Sequence, residues 1–486
     1  MNQLEAPTDR RSGLRSIAEL PGPRQVPLLG NIHQVDMARL HRSIEGFSER
    51  YGDFFKFRLG RREILAVADP AAIGEMLRDR PDGFRRTRLL ERIFQELGIG
   101  GVFAMNGERW RAQRKMVAAA FDPRHIKDYF PSLARVTERL HRRWSMHASR
   151  GTAFDLQADL MRYTVDVVAG LAFGVDFNTI ESDCETIQTH LNKIFPMLQR
   201  RLTAPVAYWR WLKLPADRDL ERSLVHVQKA VAALIEEARA RLLHNPERRA
   251  SPANLIEAML VERDTPGTGL TDEDVSSNIL TMLLAGEDTT AHTLAWLIHL
   301  VSRDPKTARR LEEEADRVLG DARWAGRIEL ASAHSYAAAC ARETMRLKPV
   351  APLLILESLV PTAVGDVAVP AGTVLMALMR RGGMDARCFE QPERFDPDRW
   401  LQGAGAVTTA RGRASMPFGA GPRICPGRNL ALLEISLVTS MLFRNFKIAA
   451  IRTPDGAEVE EWLAFTMAPS KLLVTLAHRS IPNPGG

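Results

Sequence analysis

The chain has 486 residues, of which 45% are hydrophobic and 26% charged, proportions that are ordinary for a globular protein with a large core. Its formal net charge is +7, but 59 acidic residues are spread along the chain, so a nucleic-acid-binding tail is not indicated. We expect a mixed, solvated surface, and a local basic patch for an acidic partner is the alternative.

Cysteine usage and the N-terminus indicate the compartment. No CxxC pair or regular spacing links the four cysteines, which are Cys184, Cys340, Cys388 and Cys425. Neither a disulfide framework nor a zinc site is indicated, and a reducing compartment is favoured. Residues 1–20 are polar and lack the apolar core of a signal peptide or membrane anchor. We therefore expect a cytoplasmic monomer without a membrane anchor, in which residues 1–20 are flexible and 21–486 form a single domain.

The first predicted elements lie in the N-terminal part of the chain. The proline-rich stretch at 20–31 predicts an extended, turn-rich arm. Residues 55–69 predict a strand hairpin that turns at Gly60. A helix follows, in which Ile73 and Leu77 share one face.

From about residue 105 to 345 the apolar pattern is helical, without a repeat period. The sequence therefore predicts a mainly α fold with small β-sheets near both ends.

Within this helical part, Trp110 and Arg114 lie four residues apart in "GERWRAQRK". The spacing places an indole N–H and a guanidinium on one helix face, an arrangement that suits a carboxylate ligand. An ordinary half-buried helix face is the alternative.

The longest predicted helix begins at Thr271, where Asp274 completes a capping-box-like start, and ends before Pro305. Its apolar run is interrupted by "AGEDTT" at 285–290. Glycine inside a helix costs about 1 kcal/mol relative to alanine, and a buried carboxylate needs partners. Thr289 can bond back to the Ala285 carbonyl. The segment is either a polar turn at the surface or a groove beside a reaction centre.

Two further motifs come later in the chain. Glu343 and Arg346 share a helix face before Pro349, and Arg394 in a proline-bounded loop could dock onto Glu343. An exposed salt bridge is the alternative. The stretch "FGAGPRICPG" at 418–427 surrounds Cys425 with glycines and prolines just before a helix.

With these motifs in this order, the sequence resembles the cytochrome P-450 family of haem-thiolate enzymes over residues 21–479. The oxygen-activation pattern A-G-x-D-T-T is complete at 285–290, and E-x-x-R, P-E-R-F and W-x-x-x-R are present. The haem-loop pattern F-x-x-G-x-R-x-C-x-G is complete as Phe418, Gly421, Arg423, Cys425 and Gly427. The resemblance implies the cytochrome P-450 fold, with haem b between the long central helix and the cysteine loop.

The resemblance also assigns roles. Cys425 is implied to be the axial thiolate ligand of the haem iron, and Arg423, Arg114 and Trp110 are implied to hold a haem propionate. The helix that begins near Gly427 is expected to keep the thiolate ionised and to donate N–H groups to the sulfur.

On the other haem face, Thr289 is implied to hydrogen-bond the reacting oxygen and Asp288 to relay protons. A structural role around the haem loop is implied for Glu343, Arg346 and Arg394.

The function implied is a monooxygenase that hydroxylates or epoxidises a hydrophobic substrate, such as a fatty acid, terpenoid, steroid or polyketide, with O2. Because no G-x-G-x-x-G unit, flavin domain or iron–sulfur cysteine set is present, we expect electrons from a separate ferredoxin or flavodoxin with an NAD(P)H-dependent reductase. The alternatives are a peroxide-dependent peroxygenase, an isomerase and a non-catalytic haem or ligand-binding protein.

An apolar substrate pocket is expected from Leu89, Phe103, Leu284, Ala285, Leu353 and Phe465.

Two positions depart from the family pattern. Leu356 stands where many relatives have a strand arginine that binds a propionate, and Gly383 replaces a histidine. We expect Arg380 or Arg381 to compensate.

A basic docking patch for the electron donor is expected from Arg111, Lys115 and Arg428.

Overall fold

The structure, a computed structural model, describes residues 13–182, 187–191, 193–204, 206–401 and 410–480. Residues 1–12 and Cys184 therefore lie outside the described residues. Contacts divide the chain into two compact units. The first comprises Met1–Arg88, Pro352–Pro392 and Ala410–Ile424, and the second Leu89–Ala351, Glu393–Thr409 and Cys425–Gly486. The single domain at 21–486 stays a prediction.

The first unit contains a five-stranded sheet, with all strands numbered in chain order. The strands, in sheet order, are β2 (Phe54–Leu59), β3 (Arg62–Val67), β9 (Val374–Leu378), β6 (Leu353–Ser358) and β4 (Phe84–Arg86). The predicted hairpin is confirmed as the antiparallel pair β2 and β3. Strand β9 pairs parallel with β3, β6 pairs antiparallel with β9, and β4 pairs antiparallel with β6 at the other edge.

A second, three-stranded sheet of the first unit involves residues near the N-terminus. Its order is β1 (Arg15–Ser16), β8 (Val367–Val369) and β7 (Thr362–Val364). Arg15 also forms a salt bridge with Asp366, at 2.7 Å. Part of the segment predicted to be flexible therefore takes part in a sheet.

The described residues of the first unit include three α-helices, and α2 (Pro70–Arg78) is the predicted one. Ile73 and Leu77 are 1% and 0% exposed, as their shared face requires. Asp69 caps this helix by accepting a hydrogen bond from the Ala72 N–H, and Pro70 occupies its first turn, where a missing N–H costs nothing. The helices are α1 (Leu40–Tyr51), α2 (Pro70–Arg78) and α15 (Ala410–Ala414).

The second unit is predominantly helical, as predicted for residues 105–345. Its α-helices are α3 (Arg88–Glu96, whose first residue belongs to the first unit), α4 (Gly107–Ala120), α5 (Pro123–Arg150), α6 (Leu156–Phe173), α7 (Ile187–Leu191), α8 (Ile194–Thr203), α9 (Pro215–His244), α10 (Leu255–Asp264), α11 (Asp272–Ser302), α12 (Pro305–Leu319), α13 (Ile328–Ser332), α14 (Ser335–Leu347) and α16 (Arg428–Asn445).

Among its described residues, the second unit also contains two small sheets. One has the order β10 (Phe446–Arg452), β13 (Leu473–His478) and β5 (Phe154–Asp155), and the other is a hairpin of β11 (Glu461–Ala464) and β12 (Thr466–Pro469). With 57% of the residues helical and several small sheets, the mainly α fold class is confirmed. In the part of the chain that is described, no helix combines the length and apolar character that a membrane crossing requires.

Helix α11 is the predicted long helix and passes through the core of the second unit. Thr271 and Asp274 form the predicted capping box. Its Gly286 packs against α6 so closely that a Cβ atom there would lie 2.5 Å from Val168 Cγ2. Thr164 on α6 donates a hydrogen bond to the Glu287 carbonyl, at 2.8 Å. The glycine that costs helix stability therefore permits close contact of two core helices.

Candidate active site

Cys425 lies directly before α16, where the backbone N–H groups of a first helical turn have no partner within the helix. Burial raises the pKa of the Cys425 thiol, while hydrogen bonds from the Gly427 and Arg428 N–H groups and the charge of Arg114 oppose that shift. The side chain nevertheless remains accessible to solvent. A sulfur that is deeply placed, accessible and supplied with N–H donors suits a metal ligand.

The first half of the cysteine loop belongs to the first unit. Gly421 has a φ of +68°, and a Cβ atom there would lie 2.6 Å from the Leu77 carbonyl oxygen at the end of α2. Only glycine fits this close approach without a backbone shift. A 3-10 turn, Gly421–Arg423, follows, and Phe418 and Arg423 are both partly accessible.

Trp110 and Arg114 lie on α4 in the second unit. Trp110 is 3% exposed, whereas Arg114 is partly accessible. Burial lowers the pKa of Arg114, and the nearby Cys425 raises it. A buried indole and a guanidinium close to Cys425 are consistent with the predicted carboxylate site.

Thr289 lies in the middle of α11, which is otherwise buried on most sides. Its hydroxyl donates to the Ala285 carbonyl at 2.7 Å, as predicted, and Thr293 donates to the Thr289 carbonyl at 2.8 Å. Ala285 is exposed and Thr289 partly exposed, although Leu284 and Thr290 beside them are buried. Ala285 and Thr289 are therefore accessible positions in a helix whose other residues are mostly buried.

Asp288 differs from an ordinary surface carboxylate. Burial raises its pKa to about 7, and a hydrogen bond with the Thr466 side chain opposes the shift. The carboxyl thus exists in both protonation states near neutral pH. Thr466 follows Phe465 at the tip of the β11–β12 hairpin.

Glu343 and Arg346 form a buried, bidentate pair rather than a surface salt bridge. Both side chains are 0% exposed, and their two hydrogen bonds are 2.7 and 2.8 Å long. Glu343 also accepts from Arg399 Nε at 3.2 Å and from Trp400 Nε1 at 2.9 Å. Removing one member of a buried pair leaves an uncompensated charge and costs about 3–5 kcal/mol.

Arg394 takes a different place from the one predicted. Its backbone carbonyl accepts a hydrogen bond from Arg346 Nη2, at 3.0 Å, and Arg399 is the loop arginine whose guanidinium reaches Glu343. Arg399 lies on the 3-10 turn Pro397–Trp400 and is buried, whereas Arg394 is exposed. The expectation that the Arg394 side chain docks onto Glu343 is therefore corrected.

Two of the predicted pocket residues, Phe103 and Phe465, belong to a cluster of aromatic rings in the second unit. The ring centroids of Phe94 and Phe103 lie 5.4 Å apart, and those of Phe103 and Phe465 lie 5.9 Å apart. Phe195 stacks on Phe465 at 5.0 Å. Phe94 and Phe195 were not anticipated, because only tertiary structure joins α3 and α8 to the hairpin.

The other residues predicted to line the pocket are Leu89, Leu284, Ala285 and Leu353. Leu284 on α11 is 3% exposed, and Leu89 on α3 is partly accessible. Leu353 is the first residue of β6 and belongs to the first unit.

The structure also bears on the two departures from the family pattern. Gly383 is buried in the 3-10 turn Arg381–Met384. Arg380 forms a salt bridge with Glu45, with Nε 2.9 Å from Oε1. Arg380 is therefore already engaged, and the structure does not support it as the compensating residue.

Arg86 was overlooked in the sequence. It stands directly opposite Leu356 in the antiparallel β4–β6 ladder, so both side chains project from the same face. Burial and the charges of Arg80 and Arg423 lower the pKa of Arg86 well below its usual range, although the residue remains partly accessible. The unit thus gathers cationic side chains beside the position of the missing arginine. The arginine-rich segment "FRRTR" at 84–88 was the feature of the sequence that could have indicated Arg86.

Two members of the basic patch predicted from the sequence are engaged in salt bridges in the structure. Arg111 pairs with Glu108 at 3.0 Å, and Lys115 pairs with Glu262 at 2.7 Å. Arg428 has another cation nearby instead, since burial and the charge of Arg428 lower the pKa of Arg342. Positive charge near Cys425 therefore comes from Arg114 and Arg428, and Arg342 lies near Arg428.

Comparisons with known proteins agree with this arrangement. The family model described as cytochrome P-450 matches residues 20–476. Cyclooctat-9-en-7-ol 5-monooxygenase of Streptomyces melanosporofaciens is 28% identical, over 88% of this chain and 89% of the relative. Protein LUTEIN DEFICIENT 5, chloroplastic, of Arabidopsis thaliana is 25% identical, over 89% of this chain and 74% of the relative.

Proposed function

The chain belongs to the cytochrome P-450 family, and on that premise we propose that it hydroxylates or epoxidises a hydrophobic organic substrate with O2 and electrons from a separate protein. Members of this family are haem-thiolate monooxygenases, and they bind haem b through a cysteine thiolate. The observation that carries the proposal is the accessible Cys425 thiol, which accepts hydrogen bonds from two N–H groups at the start of α16.

The described residues fit a haem group. In the second unit, Cys425 supplies the thiolate, and Trp110 and Arg114 supply donors for a propionate. In the first unit, Arg423 and Arg86 supply further cations for propionates, which as carboxylates pair well with guanidinium groups. Phe418 and Gly427 complete the loop. Bound haem supplies the redox chemistry, and thiolate ligation favours cleavage of the O–O bond.

Thr289 and Asp288 are proposed to handle protons at the accessible side of α11. Because the Thr289 hydroxyl donates to Ala285, its oxygen remains able to accept a hydrogen bond from a proton donor at that side. Asp288, with a pKa of about 7, can release a proton and recover it at neutral pH. Glu343 and Arg346 are proposed to hold the fold, together with Arg399 and the Arg394 backbone.

The aromatic cluster supports a hydrophobic substrate. Four rings, those of Phe94, Phe103, Phe195 and Phe465, pack together in the second unit. Apolar walls favour binding by burial of hydrocarbon surface. The name of the Streptomyces relative states that it oxygenates cyclooctat-9-en-7-ol, which makes that alcohol a reasonable first compound in a spin-state screen of fatty acids, terpenoids, steroids and polyketides.

The electron donor is proposed to be an acidic ferredoxin, or a flavodoxin, that a reductase reduces with NAD(P)H. Support comes from the positive charge of Arg428 near Cys425 and from that of Arg342 near Arg428, which would attract an acidic protein. The cytoplasm is the proposed compartment, and the free thiols of the described cysteines, Cys340, Cys388 and Cys425, support it.

Carbon monoxide binding tests the ligand assignment. The reduced protein should give the strongly red-shifted band of thiolate ligation, and Cys425→His should abolish it, because an imidazole donates far less electron density than a thiolate. Cys340→Ala and Cys388→Ala are the matched controls and should keep the band. Loss of the band in either control with retention in Cys425→His would refute the assignment.

A turnover comparison separates the monooxygenase from its alternatives. We expect product with substrate, O2 and a reduced donor, and little product with peroxide alone. The opposite result would indicate a peroxygenase. Rearrangement without consumption of O2 would indicate an isomerase, and substrate binding without turnover would indicate a binding protein.

A further inference from the structure

Three side chains meet where α11 contacts the β11–β12 hairpin. Asp288 and His292 are four residues apart on α11 and so share a face. Thr466, the first residue of β12, lies close enough to Asp288 for hydrogen bonding by its side chain to lower the pKa of the carboxyl against the effect of burial. Its Oγ1 also lies 3.5 Å from His292 Nδ1, near the long limit of a hydrogen bond. Thr466 therefore connects a carboxyl group to an imidazole.

The tip of the hairpin holds Thr466 in place. Phe465, immediately before it, has a φ of +82°, a backbone conformation that side chains other than glycine rarely adopt. Ala464 and Thr466 are paired across this residue, so the turn is very tight. Thr466 is 7% exposed and His292 9% exposed, which leaves the hydroxyl little room to find another partner.

Burial and one hydrogen bond, rather than charged neighbours, act on the pKa values of Asp288 and His292. Burial raises the pKa of Asp288 to about 7, opposed by Thr466 alone, and burial by itself lowers the pKa of His292 to about 4. The imidazole is therefore neutral at pH 7. On α11 itself Glu287 is buried beside Asp288, and it is not among the causes of either shift.

The elements packed against α11 carry other buried ionisable groups, and these too are absent from the causes of both shifts. They include Tyr163 and Asp166 on α6, Asp217 on α9, Glu257 on α10, Glu312 and Glu314 on α12, Glu343 and Arg346 on α14, and Glu434 on α16. The Thr466 contact is therefore the one specific interaction that bears on the protonation of Asp288 among the described residues.

We propose that Thr466 and His292 are positioning residues for Asp288, with which they form one hydrogen-bonded chain that reverses direction when the carboxyl gains or loses its proton. The inference deepens the proposed function, because it concerns the residue assigned to proton relay. It identifies the hairpin tip, and not a charged partner, as the element that lowers the proton affinity of Asp288 against the effect of burial.

The two states of the chain conserve protons and donors. When Asp288 is ionised, the Thr466 hydroxyl donates to the carboxylate, and His292 Nδ1–H donates to Thr466 Oγ1. When Asp288 binds a proton, its O–H donates to Thr466 Oγ1, and the Thr466 hydroxyl donates to Nδ1, with the single ring proton of His292 now on Nε2. Only the carboxyl gains a proton, and the neutral imidazole changes tautomer, which is possible because it can donate or accept at Nδ1.

Infrared titration of the holoenzyme measures this directly. The band of the protonated Asp288 carboxyl is identified by its loss in Asp288→Asn and followed against pH. Thr466→Val is nearly isosteric and removes the donor to the carboxylate, so its midpoint should move upward by about one pH unit. Thr466→Ser keeps the hydroxyl and should titrate as the unaltered protein does. His292→Phe should move the midpoint in the same direction by less.

The pH profile of coupling, measured as product formed per O2 consumed, is the second readout and should move with the infrared midpoint. An unmoved midpoint in Thr466→Val, or a Thr466→Ser midpoint displaced as far as that of Thr466→Val, would overturn the inference. If Asp288→Asn itself leaves the coupling profile unchanged, the proton role of Asp288 in the proposed function fails, whatever the midpoints of the Thr466 variants show.

Discussion

At the scale of single residues, the polar groups in the middle of α11 satisfy their hydrogen bonds locally and remain available for chemistry. Thr289 and Thr293 both bond back one turn, to Ala285 and Thr289, at 2.7 and 2.8 Å. Such bonds keep a hydroxyl from being an unsatisfied donor in a core. They differ in exposure, because Thr289 is partly accessible and Thr293 is 3% exposed.

Replacing Thr289 by alanine should uncouple oxygen consumption from product formation. Alanine is a better helix former, so we expect haem content and substrate affinity to stay close to those of the unaltered protein. Product per NAD(P)H consumed should fall several-fold, and peroxide should rise by the corresponding amount. Thr293→Ala removes an equivalent back-bond at a buried position and serves as the matched control. An unchanged product ratio in Thr289→Ala would remove Thr289 from the oxygen chemistry.

The sequence was informative about residues whose role depends on other residues nearby in the sequence. The back-bond of Thr289 and the N–H groups that follow Cys425 are local features, and both were predicted. The link between His292 and Thr466 spans 174 residues, and it depends on how a hairpin contacts α11. No local pattern in the sequence could indicate it. The same reason explains why Arg399, and not Arg394, reaches Glu343.

At the scale of elements, helix and hairpin boundaries followed from local signals, whereas the pairing of distant strands did not. The capping box at Thr271 and the turn at Gly60 were predictable, because capping and turn formation involve a few adjacent residues. The register of β4 against β6 is different, since the pairing of Arg86 with Leu356 closes a loop of hundreds of residues. The sequence pointed to Arg380 or Arg381 as the compensating residue, whereas the arginine opposite Leu356 is Arg86 on β4.

A side-chain exchange across the β4–β6 ladder tests that compensation. Arg86→Leu should make the protein lose haem roughly tenfold faster to an acceptor such as apomyoglobin, because a hydrogen bond to a charged group contributes about 1.5–3 kcal/mol. The double variant Arg86→Leu/Leu356→Arg returns a guanidinium to the same face and should restore much of the haem retention.

Arg85→Leu is the control for that exchange. Arg85 precedes Arg86 in the strand, so its side chain projects from the opposite face, and haem retention should not change. Equal haem loss from Arg85→Leu and Arg86→Leu would show that the strand, and not the Arg86 charge, is responsible.

At the scale of the whole molecule, the net charge of +7 says little about where an electron donor docks. Many cations are paired, including Arg111 with Glu108 and Lys115 with Glu262, so their contribution to an attractive field is small. Arg342 lies close enough to another cation, Arg428, for that charge to lower its pKa. Clustered cations of this kind steer acidic partners better than ion pairs do.

We therefore expect Arg342→Glu to slow reduction of the iron by an acidic ferredoxin by about tenfold at low salt, with substrate affinity unchanged, since electrostatic steering acts mainly on association. Glu108→Gln is a control with the opposite expected effect. It removes the acidic partner of Arg111 and should therefore speed reduction of the iron. Both effects should shrink above ~0.1 M salt, where screening acts over roughly 10 Å. Stopped-flow reduction at several salt concentrations provides the measurement. If neither salt nor either substitution changes the reduction rate, the docking surface lies away from the start of α16. If Glu108→Gln alone changes the rate, the docking surface is the α4 surface predicted from the sequence.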